Sequence, residues 1–293
     1  MNEKNLGERI FDIFNIGLMV VLMIVMVYPL WYVVVASVSD PLTIVQNKGA
    51  LWWPKGFTLA AYALVFINHD ILVGYYNTLF YVVVGTIINI ILTAFGAYAL
   101  SRRNLVGKNL IMFMIVFTMF FNGGLIPNYL LVDWLGLINT RWAIILPAAI
   151  STFNLIIMRT GFQAIPESIE ESAKIDGAND FTILFRIFFP LALPVVAVMI
   201  LFYSVSHWNA YFKAMIYLRD RSLFPLQLFL REILVDDSTD AMMSAGGIFG
   251  DRGPIGETLK YATIIVATVP ILCIYPFLQR FFLKGVMIGA IKE

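Results

Sequence analysis

The chain has 293 residues, of which 60% are hydrophobic and 13% are charged. This composition is too apolar for a soluble domain of that length, so it predicts an integral membrane protein. A net charge of +1 gives no indication of a nucleic-acid-binding surface, and one cysteine with two histidines argues against a zinc or iron–sulfur site.

The first apolar run extends from Ile13 to Ala36. It is longer than a signal-peptide core and long enough to span a bilayer, for which about 20 residues suffice. We therefore expect an uncleaved first membrane helix. The polar segment that follows contains Trp52 and Trp53, and paired tryptophans beside polar sequence are typical of the membrane–water interface.

Later apolar runs complete an all-α membrane protein with six spans, which we expect to form a single domain over residues 1–293. The further runs are Tyr75 to Leu100, Leu110 to Val132, Trp142 to Met158, Ile187 to Phe212 and Tyr261 to Leu278. Six spans place both termini on one side of the membrane. Arg102, Arg103 and Lys108 in a short loop favour the cytoplasm for that side. The loop 159–189 is then cytoplasmic and the loop 213–260 external.

Helix-breaking residues interrupt two of these runs. Gly123, Gly124 and Pro127 lie in the third run, and Pro147 lies in the fourth. They are explained by close packing or a kink, which we prefer, or by flexing of the helices around a translocation path.

The most informative stretch is the charged segment from Ile165 to Pro194, because its charges exclude it from lipid. Pro166 suits the first position of a helix, and the following glutamates complement the positive end of the helix dipole. Glu170 and Lys174 are four residues apart and can pair on one helix face. Gly177 suits a left-handed end to that helix.

A second helix is expected directly after this one. Asn179 or Asp180 can cap its first turn. The segment therefore forms a sharp corner between two helices.

The fifth span ends in a group of polar and aromatic residues: His207, Trp208, Asn209 and Tyr211. Aromatic faces stack on the C–H faces of sugars, and Asn and His can bond sugar hydroxyls. An interfacial aromatic belt with a satisfied histidine explains the same residues equally well. Both interpretations remain open at this stage.

The charged segment resembles the cytoplasmic loop of ABC-importer permeases, whose pattern is Glu-Ala-Ala, three residues, Gly, nine residues, Ile, two residues, Pro. The residues that match this pattern are Glu171, Ser172, Ala173, Asp176, Gly177, Ala178, Ile187 and Pro190. Ser172 departs from the usual alanine but is also small. The resemblance implies a type I importer permease fold in which these residues couple the chain to an ATPase subunit.

Other stretches resemble the carbohydrate branch of this family. They include Pro54 to Leu59, the pair Trp208 and Asn209, and the residues Pro225, Leu226, Gln227, Leu228 and Arg231. The last group is similar to permeases of complex-saccharide importers, including those for alginate or other uronate-containing oligosaccharides. The C-terminal stretch resembles the tail of the maltose-type permeases, which implies docking through Gly285 and Gly289.

The absence of certain motifs indicates how transport by this chain is energised. The sequence has no Gly-x-x-x-x-Gly-Lys-Ser/Thr phosphate loop, so the chain needs a separate ATPase. The predicted spans also lack interior charged residues, which ion-coupled carriers usually have. An ion-coupled secondary carrier is the alternative.

Taken with the resemblance, these patterns predict a non-catalytic permease subunit in the bacterial plasma (inner) membrane. Its expected partners are a second, similar permease, two ATPase subunits and an extracytoplasmic solute-binding protein that delivers an oligosaccharide. ATP and Mg²⁺ are expected to bind the ATPase subunits, and we expect neither a catalytic nor a metal site in this chain.

Overall fold

The computed structural model describes residues 6–46, 49–103, 105–235 and 253–290. Within these residues the chain is helical and has no strand. The helices are α1 (Leu6–Ser37), α2 (Pro41–Gln46), α3 (Ala60–Ile67), α4 (His69–Ser101), α5 (Lys108–Phe120), α6 (Leu125–Trp134), α7 (Trp142–Ile145), α8 (Thr152–Gln163), α9 (Glu167–Ile175), α10 (Asp180–Thr182), α11 (Phe189–Leu191), α12 (Leu193–Trp208), α13 (Tyr211–Tyr217), α14 (Leu226–Val235) and α15 (Gly253–Ala290).

Three continuous helical stretches among the described residues are long and apolar enough to cross a membrane: Gly7–Ser37, His69–Ser101 and Ile255–Cys273. Three bent pairs pass the same test as pairs, with bends of 113° between α5 and α6, 53° between α7 and α8, and 89° between α10–α11 and α12. Counting each bent pair as one span gives six. The helices are therefore long and apolar enough for the membrane character predicted from the composition, and the number of spans rests on how the bends are counted.

The bends coincide with residues that disfavour a continuous helix. Gly124 has φ +86° directly before α6, and Pro147 lies in the 3₁₀ turn Leu146–Ala148 that follows α7. The third bend falls at Ala192, which has non-helical φ and ψ between Pro190 and Pro194. Proline removes a helical hydrogen-bond donor, so this part of the chain turns there.

The fifth predicted run therefore differs from the helix that forms. α12 begins at Leu193, and residues 187–192 lie on the other side of the 89° bend. At its far end α12 stops at Trp208, and α13 begins after Asn209 and Ala210. In the predicted external loop, the described residues form helices α13 and α14, while residues 236–252 lie outside the described part.

The helices contribute to two compact units. One unit holds residues 1–69 and 232–268. Its small core consists of Val35, Ala36, Ile44 and Leu51, with Tyr32 and Tyr261 packed against it. In the same unit Trp31 Nε1 donates to the Trp52 carbonyl at 2.9 Å, and most apolar side chains of α1 are exposed, as expected for a helix that faces lipid.

The other unit holds residues 70–231 and 269–293, which include nearly all of α4. Two buried asparagines of α4 bond backbone carbonyls in irregular stretches between later helices. Asn89 Nδ2 donates to the carbonyls of Ala148 and Ala149 at 2.7 and 2.8 Å. Asn77 Nδ2 similarly donates to the carbonyls of Ser222 and Phe224. Irregular backbone is tolerated at membrane depth only when such partners satisfy it.

Candidate functional site

The charged helix α9 has well-defined ends. The helix begins at Glu167. Pro166 was expected at the first helical position, but it lies one residue before the helix. At the other end Gly177 has φ +81°, its N–H donates to the Lys174 carbonyl at 3.0 Å, and the Ala178 N–H donates to the Ala173 carbonyl at 2.9 Å. These two bonds are the Schellman arrangement, so the left-handed end predicted at Gly177 is confirmed.

One face of α9 is exposed and the other is packed on the helical bundle. The exposed face contains Ser168, Glu171, Ser172 and Ile175, and the Ile175 side chain is 86% exposed. Ala173 is 8% exposed and belongs to the core cluster of this unit. The residues that match the loop pattern therefore lie on both faces of α9. Glu171 and Ser172 face outward, whereas Ala173 packs against the bundle.

A buried ion pair fixes the inner side of α9. Glu170 is 5% exposed, pairs with Arg102, and accepts from Lys174 Nζ at 2.7 Å, which confirms the predicted pairing of Glu170 and Lys174. The Arg102 guanidinium lies between the rings of Tyr98 and Phe188, 4.8 and 4.5 Å from their centroids. Cation–π contact partly replaces the water that Arg102 loses. Sequence reasoning missed Arg102 as the partner because it belongs to a distant loop.

Other cations lie at the same end of the unit. Arg103 pairs with Glu167 at 3.2 Å, Lys108 Nζ donates to the Arg102 carbonyl, and Arg159 Nε donates to the Leu100 carbonyl. These groups concentrate positive charge beside α9.

After Gly177 the chain turns back into the bundle. Asn179 caps α10 by accepting from the Thr182 N–H at 2.8 Å, which confirms one of the two predicted caps. Asp176 is exposed before the turn, Ala178 is half-buried, and the π-helical segment Ile183–Phe188 contains the half-buried Ile187. Pro190 is exposed in α11.

A second feature of this unit is a cavity of about 1060 Å³ among α7, α8, α12, α13 and part of α15. Its polar lining residues are Ser151, Asn154, Tyr203, Ser206, His207, Asn209 and Lys213. Its apolar lining includes Phe153, Phe202 and Phe212. The break between α7 and α8 forms part of its wall.

The fold does not bring the four residues proposed for a substrate path into one site. His207 is 4% exposed, and its Nε2 lies 2.7 Å from Asn89 Oδ1. Since Asn89 Nδ2 already donates to two carbonyls, Oδ1 is the acceptor and His207 Nε2 carries the proton. Trp208 is also buried, packs edge-on against Tyr75 and does not line the cavity.

The other two residues point elsewhere. Asn209 is exposed, lines the cavity, and donates to the Val205 carbonyl at 3.0 Å, whereas Tyr211 is 43% exposed outside the cavity lining. A continuous helix would place residues 207 and 211 on one face, but the break before α13 separates them.

Two residues that the sequence did not single out complete this site. Asn89 orients His207, and Gly85 makes room for its ring, since a Cβ atom at Gly85 would lie 2.5 Å from His207 Nε2. In the sequence, the signals that could have indicated these two residues were an asparagine and a glycine within an apolar run. Gly285 and Gly289 lie in the last part of α15, whose side chains from 277 onward are outside the described residues.

Residues 71–287 match the family described as "Binding-protein-dependent transport system inner membrane component". Over 292 residues the chain is 42% identical to the polygalacturonan/rhamnogalacturonan transport system permease protein YtcP of Bacillus subtilis (strain 168), covering 97% of this chain and 99% of that protein. Over 284 residues it is 40% identical to protein LplC of the same organism, covering 97% and 95%.

A solved structure is similar to the whole fold. It is the crystal structure of a bacterial ABC transporter involved in the import of the acidic polysaccharide alginate. The TM-score is 0.88 at 34% identity, and the similarity covers 96% of this chain and 100% of the other.

Proposed function

Because this chain belongs to the family of binding-protein-dependent transport system inner membrane components, we propose that it carries acidic oligosaccharides across the inner membrane as the permease subunit of an ABC importer. The permease itself performs no chemistry. It works with a second permease, ATPase subunits and a solute-binding protein, and ATP and Mg²⁺ bind the ATPase subunits.

The exposed face of α9 is the observation that carries the coupling role. Glu171 and Ile175 combine a charge and an apolar side chain on a helix that is tied to the bundle by the buried pair of Glu170 and Arg102. A surface of this kind suits a partner protein that binds α9 and displaces it. We assign it to the ATPase subunit, with Asp176 and Gly177 at its edge and Ala173, Ala178, Ile187 and Pro190 supporting the turn.

The same surface supports an orientation for the chain. Arg102, Arg103, Lys108 and Arg159 cluster beside α9, and cytoplasmic loops carry an excess of such cations. With six spans, each bent pair counted as one, both termini lie in the cytoplasm. The described residues 218–225 between α13 and α14 then lie outside.

The acidic substrate is supported by two similar proteins. One is named for polygalacturonan and rhamnogalacturonan transport, and the other belongs to a transporter for the acidic polysaccharide alginate. Galacturonan and alginate differ in their sugars but share a carboxylate on each uronic acid unit. A carboxylate-bearing oligosaccharide is therefore the chemistry that the relatives have in common.

Uptake by the purified complex tests this proposal. Proteoliposomes that contain both permeases and the ATPase subunits are given the solute-binding protein loaded with tetragalacturonate or with an alginate tetrasaccharide. We expect ATP-dependent accumulation of at least one of these sugars, and none without the binding protein. Uptake that persists without ATP and follows an ion gradient would instead establish a secondary carrier.

A further inference from the structure

The cavity among α7, α8, α12 and α13 contains one cation, Lys213, in its described lining. Lys213 belongs to α13 and is half-buried. Among the described residues no carboxylate pairs with it, and no side chain or carbonyl accepts a hydrogen bond from its ammonium group. His207, at the buried end of α12, lines the same cavity as Lys213.

A desolvated ammonium without a counterion is costly within a membrane protein. Such residues usually face a cavity or an ion path and find their partner there. The described lining has no Asp or Glu to neutralise Lys213. A bound anionic ligand would supply the missing negative charge.

Two further lining groups are unused. Asn154 is 5% exposed, and its side-chain amide has no hydrogen-bond partner among the described residues. The Nδ1 atom of His207 is likewise without a described partner, because Nε2 is the atom engaged by Asn89. An amide and an imidazole acceptor suit the hydroxyl groups of a sugar, which both donate and accept.

The rest of the lining suits the apolar side of a sugar ring. Phe153 and Phe202 lie 6.2 Å apart by their centroids, and both line the cavity with Phe212. Ring faces of this type pack against sugar C–H groups. The volume of about 1060 Å³ is large enough for several sugar units.

We propose that Lys213 binds the carboxylate of a uronic acid unit in this cavity, while Asn154 and His207 Nδ1 bond neighbouring hydroxyls. The site rests on the function proposed above, because it requires an acidic oligosaccharide as cargo. It adds a location and a recognition group: the chain selects its cargo by charge within this cavity.

The test compares three variants in the complete transporter, with the binding protein saturated by tetragalacturonate or by the alginate tetrasaccharide, whichever the wild type transports. Lys213→Met removes the charge and keeps much of the volume, and Lys213→Arg keeps the charge. Arg219→Met is the matched control, since Arg219 is an exposed cation six residues further on that does not line the cavity. Retained ATPase subunits and unchanged unstimulated ATP hydrolysis establish that each variant is assembled.

We expect Lys213→Met to lower initial uptake about tenfold, which corresponds to about 1.4 kcal/mol, since losing a charged hydrogen bond has at least that effect. Lys213→Arg should retain more than half of wild-type uptake, and Arg219→Met should match the wild type. Wild-type uptake by Lys213→Met would overturn the proposed site. An equal loss in Lys213→Arg would also overturn it, because the requirement would then be for shape instead of charge.

The wild-type protein separates this result from the broader proposal. If it transports neither acidic sugar, then the acidic cargo is wrong. If it transports one of them and Lys213→Met does so equally well, then only the site at Lys213 is wrong.

Discussion

The helix α9 and the cavity around His207 use polar residues in opposite ways. In α9 the charges pair with one another on the inner side, through Glu170 and Arg102, and leave an exposed face for a partner. In the cavity the side-chain amide of Asn154 and the ammonium group of Lys213 lack described partners. The first region suits the contact with an ATPase subunit proposed above, and the second has hydrogen-bonding groups left for the proposed ligand. Variants in the two regions should therefore fail in different ways.

The largest effect is expected where the inner side of α9 is fixed. Arg102→Ala leaves the buried carboxylate of Glu170 with Lys174 alone, and removing one partner of a buried pair typically costs about 3 to 5 kcal/mol. Thermal unfolding of the purified complex should show the loss, together with weaker retention of the ATPase subunits.

Two further variants test whether burial is the cause. Arg103→Ala is the matched control, because the Arg103 side chain is 82% exposed and its pair with Glu167 should contribute less than about 1 kcal/mol. The double variant Arg102→Met with Glu170→Leu should recover much of the stability, since no buried charge remains. Equal destabilisation by Arg102→Ala and Arg103→Ala would contradict the assignment.

The next effect concerns the exposed face of α9 and its end. Glu171→Lys should leave the fold intact and weaken attachment of the ATPase, because it reverses a charge that faces outward. Gly177→Val must hold a β-branched residue at φ +81°, a strain of about 1 to 3 kcal/mol. Both variants should reduce ATP hydrolysis stimulated by the loaded binding protein about tenfold or more.

Ser172→Ala provides the control for this surface. It restores the alanine of the family pattern and should behave as the wild type. Unchanged ATPase retention and stimulation in both Glu171→Lys and Gly177→Val would remove α9 from the coupling surface.

A smaller effect is expected in the cavity wall. Gly85→Ala places a Cβ atom 2.5 Å from His207 Nε2, so the ring must move and its bond to Asn89 must weaken. Gly96→Ala in the same helix is the control, because its Cβ would meet only the flexible end of Leu155 at 3.0 Å. We expect a loss of about 1 to 3 kcal/mol of stability for Gly85→Ala and lower uptake with the ATPase subunits retained. Equal behaviour of the two alanine variants would show that His207 tolerates displacement.

Labelling of introduced cysteines should not change activity and therefore tests orientation alone. In a Cys273→Ala background, Val106→Cys should react only with a reagent on the cytoplasmic side, and Ser222→Cys only with one outside. Both positions are exposed, and Val106 is 92% exposed. Labelling in the opposite sense would place α9 outside and separate it from any ATPase.

The ends of α9 could be predicted because their causes are local. Gly177 and Asn179 act within a few residues of themselves, and Glu170 reaches Lys174 one turn away. The ion pair of Glu170 with Arg102 depends on tertiary packing, which no local pattern specifies.

The cavity was harder to predict for the same reason. His207 and Asn89 are separated by 118 positions in the chain, and the break after Trp208 changes which way Tyr211 points. The sequence indicated polar chemistry near residue 207, but it grouped four neighbours that the fold separates. Lys213 was passed over because it lies just beyond the apolar run.

The hydrogen bonds of α4 also bear on the order in which the chain assembles during synthesis. Asn77 and Asn89 hold carbonyls from four positions that all come later in the chain. When the ribosome delivers the broken segment around Ala148, the Asn89 side chain that bonds its carbonyls is already made. A segment with free carbonyls is poorly suited to wait alone in lipid. Because synthesis starts at the N-terminus, α4 is present before the later segments that depend on its hydrogen bonds.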